Sequence, residues 1–215
     1  MNGELYQACA LVAAARQALR SGAFSYEGLG YKKSLRFTFR DGEEADDAAG
    51  WYRKLAARRL RGIKLLSPTA VEDRRLLAFL GGAPFLIACF YEEKIVTGWR
   101  ADWSFDQTAR GWNIQWNEAP FKNAPASPPP FKAHTGAFST VLAQIGQLAG
   151  RIRAENFSAL FAAASRAWVF GGMGSWNDSP PYMAHEQRLD DDYERLSAAL
   201  YQQIMLAVLY AVNEW

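Results

Sequence analysis

Histidine and cysteine are scarce in this chain, two of each in 215 residues, and that scarcity closes off several chemistries. No spaced Cys/His zinc cluster can be written from so few ligands. Cys9 sits in an Ala-rich stretch and Cys89 in an apolar run, which are settings for buried thiols rather than for a disulfide framework. Net charge is also nearly absent: 24 basic against 22 acidic residues leave +2, too little to name a polyanionic partner. Long hydrophobic runs are missing as well. At the N-terminus Glu4 comes early and Arg16 and Arg20 late, the reverse of a signal peptide's charge order. The apolar run 204–212 (IMLAVLYAV) is by itself too short to span a bilayer. The expectation is a cytoplasmic protein without a membrane partner. Nucleophile motifs are lacking too: Gly174-Ser175 has no glycine two residues after the serine, so no GxSxG exists.

What the chain has is core material, half of it hydrophobic and 14% aromatic. Residues 3–20 carry Leu5, Cys9, Val12 and Leu19 at helical spacing, closed by Gly22. LRFTFR alternates as a half-buried strand, with Leu35, Phe37 and Phe39 on one side. A helix is expected over 48–65, acids before it and bases in its later turns, an order that suits the helix dipole. The dipole accounts for those bases, so nucleic acid is not the favoured partner. Ser67-Pro68 opens a further expected helix to Leu80.

The sheet signal is strongest next. PFLIACFY is apolar on both faces and reads as a central strand. IVTGWRADW and GWNIQWN read as a hairpin. Its natural register sets Trp103 opposite Trp112 and Trp99 opposite Trp116, and on the reverse face Arg100 opposite Gln115 and Asp102 opposite Asn113. The tryptophan face is expected to be buried under the C-terminal helices. Residues 118–135 form a Pro-rich crossover, and 136–215 an all-helical part packed on the sheet. The fold expected is one α+β domain: a small antiparallel sheet of about four strands, helices mainly on one face, the C-terminal helix buried.

Three places offer chemistry. The stretch WVFGGMGSWNDSPPY (168–182) joins two helical segments, and Gly172, Gly174, Ser175, Trp176, Asn177 and Asp178 are its candidate ligand-binding residues. A phosphate loop is the wrong description, because a helix precedes the glycines and no lysine follows them. Asp178, His185 and Glu186 are candidate acid/base groups, imidazole titrating near neutrality; with Asp190 they match no metal motif, and no metal or cofactor is expected. The reverse sheet face, with Arg100, Asp102, Asn113 and Gln115, is a candidate partner face. The function expected is non-enzymatic binding or partner recognition, as in a small bacterial adaptor or immunity-type protein, the partner being another protein or a small polar ligand. The alternative is a small hydrolase or transferase acting at Asp178, His185 and Glu186.

Overall fold

The computed structural model describes residues 3–28, 30, 32–66, 85–92, 95–120, 135–157, 161 and 175–214. The chain is α+β. It gathers into two compact units, one holding the sheet, its two helices and the chain from Ala211 onward, the other holding the helices between 132 and 210.

The sheet unit opens with α1 (Gly3–Ser21), where Ala8, Leu11, Val12 and Ala15 recur at helical spacing and are wholly buried. Gly22 ends it at φ 77, its N–H bonding Ala18 O at 2.8 Å. Then come β1 (Lys32–Thr38), the two-residue β2 (Glu44–Ala45) and α2 (Ala48–Ala57), whose N-cap Asp47 accepts the Gly50 N–H at 2.5 Å. The remaining strands are β3 (Leu60–Leu66), β4 (Leu86–Tyr91), β5 (Val96–Asp106) and β6 (Gly111–Pro120).

Three expectations change here. The sheet has six strands in the order β2-β1-β6-β5-β4-β3, not about four, and it is mixed: β1 runs parallel to β6. Alternation fixes which face a strand buries, and it carries no information about direction or neighbour. The helix expected over 48–65 stops at Ala57. Arg58 caps it, Arg59 turns at φ 59, and LRGIKLL leaves as β3 with Ile63 and Leu65 buried. Of its later bases, Lys54 stands in the last turn of α2 and Arg58 at its C-cap, whereas Arg59 and Arg61 lie beyond the helix and both pair with Glu92. The β5–β6 register also shifts by two residues, because the hairpin closes at Asp106↔Gly111 around a loop held by the Asp106 carboxylate. A shift of two keeps every side chain on its expected face.

On one face, Trp99 and Trp116 are fully buried. Their cover comes from α1 and α2: Trp51 meets Trp99 edge-on at 5.8 Å, and Gln7 accepts the Trp116 indole N–H at 3.0 Å. Trp103 and Trp112 are half-buried, packed against each other at 5.7 Å. The expected wall of four buried tryptophans is thus two buried and two half-open. The expected central strand, β4, does lie between β3 and β5 and is buried along most of its length.

β3 forms one end of the sheet, and the end of the last helix covers it. Asn213, wholly buried, accepts the Leu65 N–H at 2.8 Å and donates to Leu65 O at 2.7 Å, supplying both bonds that another strand would make. Beside it Lys64 donates to Asn213 O at 2.9 Å and pairs with Glu214 at 2.7 Å. Asn213→Leu keeps the volume and leaves a buried N–H and C=O unpaired, a loss of about 2–4 kcal/mol. Urea unfolding of the variant checks it; wild-type stability would mean that water reaches this edge.

The helical unit contains α3 (Thr135–Arg151), α4 (Pro180–Glu186) and α5 (Asp190–Glu214) as far as Tyr210, the last residues of α5 belonging to the sheet unit. Ile145 and Leu148 of α3, with Ile152 just past its end, pack with Tyr193, Leu196 and Leu200 of α5. After α3 the chain turns at Arg153, where φ is 61. In 204–212, Met205 and Leu209 are buried and Ala207 and Ala211 exposed, so this end of α5 has an outward side and is not buried all round. Taken whole, α5 is long and apolar enough by length and composition to cross a membrane; 33% of its most apolar window is buried within the protein. The expected helix from Ser67 to Leu80 and most of the Pro-rich crossover lie outside the described residues.

Candidate functional site

Gly172 and Gly174, with Trp168 and Phe170, lie outside the described residues, so the described part of the long connection begins at Ser175. Trp176 is a core residue there, and this corrects its reading as a ring open to a ligand. It is fully buried among Phe157, Phe161 and Tyr193, with centroids at 5.1–5.3 Å, and its indole N–H reaches Ser197 Oγ at 2.7 Å. Tyr193 in turn donates to Trp176 O at 2.7 Å. The turn is closed by the Asp178 N–H on Ser175 O at 3.1 Å. Asn177 keeps both amide atoms buried without a hydrogen bond among the described residues.

The acid/base group is open to solvent. His185 is 81% exposed at its side chain, and the carboxylate that reaches it is Asp190, Oδ1 lying 3.1 Å from Nδ1. Glu186 and Asp178 are exposed. Among the described residues no three His, Cys, Asp or Glu side chains converge as a metal set.

On the outer sheet face, three adjacent strands present three polar residues each. Register sets them in rows: Ser34, Asn113 and Ser104; then Arg36, Gln115 and Asp102; then Thr38, Asn117 and Arg100. Neighbouring strands lie about 4.8 Å apart, so such side chains touch along rows and diagonals. Ser34 donates to Asn113 at 2.8 Å, Gln115 to Thr38 at 2.7 Å and Asn117 to Asp102 at 2.8 Å. Arg36, Arg100, Asp102 and Ser104 are exposed. The face is therefore a grid whose amides and hydroxyls are oriented by one another. Arg100, Asp102, Asn113 and Gln115 do share it, with Arg100 opposite Asn117 and Asp102 opposite Gln115 in place of the expected pairs.

One constellation went unread in the sequence. On the tryptophan face, where the aromatic packing ends, Tyr91, Thr97 and Glu118 come from three neighbouring strands. The Glu118 side chain is only 3% exposed. Its carboxylate accepts the Thr97 hydroxyl at 2.7 Å, the Arg40 N–H at 3.1 Å, Arg58 Nη1 at 3.4 Å and the Tyr91 hydroxyl at 3.5 Å. Arg58 also reaches Asp41 at 2.5 Å and Glu43 at 3.0 Å, and lies over the Phe39 ring. Partial burial opposes the Arg58 charge, yet the Asp41 and Glu43 carboxylates outweigh it and raise its pKa. The Glu43 N–H and then Arg58 hold Asp41 below its ordinary value, and burial pushes the Tyr91 phenol up. A cavity of about 480 Å³ opens here. A signal for it existed: Glu118 follows Trp112, Ile114 and Trp116 at period two, which puts a carboxylate on the core face.

No family model matches this chain, and no curated protein or solved structure does.

Proposed function

We propose that this protein is a non-enzymatic recognition protein, of adaptor or immunity type, that binds another protein through the outer face of its sheet. The observation behind the reading is the three-by-three polar grid. Its central amides are held by neighbours before any partner arrives, so little side-chain freedom remains to be lost on binding. Arg36, which pairs with the exposed Asp46 at 3.6 Å, and Arg100 stand out from it as exposed guanidiniums suited to carboxylates on a partner, and Asp102 to a base. The reading extends to a cytoplasmic protein, its two cysteines being unpaired. For the hydrolase or transferase alternative, the support is the exposed His185–Asp190 pair alone.

The test is affinity capture from the native host with wild type and with Arg36→Glu/Arg100→Glu. Both positions are exposed, so the double variant is expected to keep the wild-type fold within about 1 kcal/mol. A stoichiometric partner should be captured by wild type and lost at least tenfold with the variant. Equal capture by both proteins would remove the face from consideration.

A further inference from the structure

β5 runs on past the end of its neighbour β4. The ladder between the two stops at Ile87↔Trp99, while β5 stays paired with β6 as far as Asp106↔Gly111. From Ala101 to Asp106, one side of β5 is therefore an open sheet edge among the described residues. The β4–β5 turn sets which backbone groups face that side. The Tyr91 N–H bonds Ile95 O at 3.0 Å, so the odd-numbered residues of β5 point their backbone groups toward β4 and the even-numbered ones toward β6. The N–H and C=O of Ala101, Trp103 and Phe105 thus look out from the edge.

Sheets protect such edges, and this sheet protects its two outer ones. Asn213 makes the bonds of Leu65 on β3, and the far end finishes in the two-residue β2. Residues 101–106 of β5 carry no lysine, no proline and no bulge, and their register with β6 runs without a shift. On the tryptophan face of this edge Phe105 is 42% exposed and Trp103 half-buried. Its charges lie on the outer face: Arg100 and Asp102 are exposed, and Asp106 also holds Lys33.

We propose that this edge pairs with the same edge of a second copy of the chain, antiparallel across a two-fold axis at Trp103. Only the odd-numbered residues reach across, so like faces of the two sheets come together. Setting Trp103 on its own copy places Ala101 opposite Phe105, a small side chain beside a large one, and gives all three residues their backbone bonds. On the outer face Arg100 then stands opposite Asp106, and Asp102 opposite Ser104. Sliding the register by two residues either way sets Asp102 against Asp102 or against Asp106, and like charges directly opposite are destabilising. The polar grids of the two copies adjoin in this dimer. The pairing rests on backbone groups and does not depend on the partner-recognition reading.

Sedimentation equilibrium of the full chain should show the 24.0 kDa monomer at low micromolar concentration and its dimer at submillimolar concentration. No larger species should form, because a two-fold contact closes on itself. Amide hydrogen exchange locates the contact. Ala101, Trp103 and Phe105 should exchange several-fold more slowly in concentrated than in dilute protein, whereas Asp102 and Ser104, whose N–H groups face β6, should be indifferent to concentration. Ala101→Pro removes an edge N–H and leaves every side chain of the polar grid in place. It should keep wild-type circular dichroism and stay monomeric where wild type is dimeric, and its capture of a partner reports on the grid alone. A constant monomer mass, a dimer that survives Ala101→Pro, or exchange at the three odd positions that ignores concentration would each overturn the proposal. The exchange result decides the matter even if Ala101→Pro fails to fold.

Discussion

Trp176→Ala is expected to cost the helical unit about 3–5 kcal/mol. The ring is fully buried, and three aromatic neighbours pack against it at 5.1–5.3 Å. Truncation removes those contacts and leaves the buried Ser197 hydroxyl without the indole N–H it accepts at 2.7 Å. Few domains have more than 15 kcal/mol to lose, so the variant should melt many degrees lower and show a weakened near-ultraviolet signal. Trp176→Phe should recover part of the loss, keeping a ring while abandoning Ser197. The result also bears on function. A loss below 1 kcal/mol would return Trp176 to the surface and revive it as a ring for stacking a ligand.

The sheet unit has its counterpart in Trp116→Ala. The ring contributes about 3–5 kcal/mol by its burial, and Gln7 adds to that. This carboxamide is 0% exposed; its nitrogen has no hydrogen bond among the described residues, and its oxygen has the Trp116 indole. Removing the indole orphans the oxygen too, at a further ~1–3 kcal/mol. The pairing is separable by a double-mutant cycle. Trp116→Phe combined with Gln7→Leu removes donor and acceptor together, and should be clearly less damaging than the sum of the two single changes. Urea unfolding of the four proteins measures the coupling. Strict additivity would show that the two side chains do not interact.

How far the fold could be read in advance depends on what each signal encodes. Period-two alternation placed Phe37, Trp99, Ile114 and Trp116 on one face correctly, and helical spacing found α1 nearly to its ends. The turns were harder, because the chain makes several of them without glycine. Arg59, Arg110, Arg153 and Arg188 all sit in the left-handed region, at φ 59, 50, 61 and 56. Arginine gives no advance notice of that conformation, since it is a good helix former with no preference for positive φ. Arg59 therefore hid the end of α2, and with it β3, inside what reads as one basic helix.

The candidate surfaces divide in the same way. Membership of the outer face survived a register error of two residues, since the pleat repeats every two. The hydrogen bonds within it did not, because they depend on the true register and on β1 arriving parallel at β6. The Glu118 cavity was half legible. Its carboxylate has core parity in the sequence, but Arg40, Asp41 and Arg58 reach it from positions that only the folded chain brings near. Trp176 was misjudged because a polar, glycine-rich neighbourhood says nothing about whether its own aromatic ring turns inward.

The central claim, that the outer sheet face recognises a partner, has natural reporters in the side-chain amides of Asn113, Gln115 and Asn117. Titrating the captured partner into nitrogen-15-labelled protein should shift or broaden these NH₂ signals first, with little change at Ser175, Asn177 and Asp178. Unmoved grid amides alongside perturbed signals from 175–178 would contradict the account and give the recognition role to the long connection.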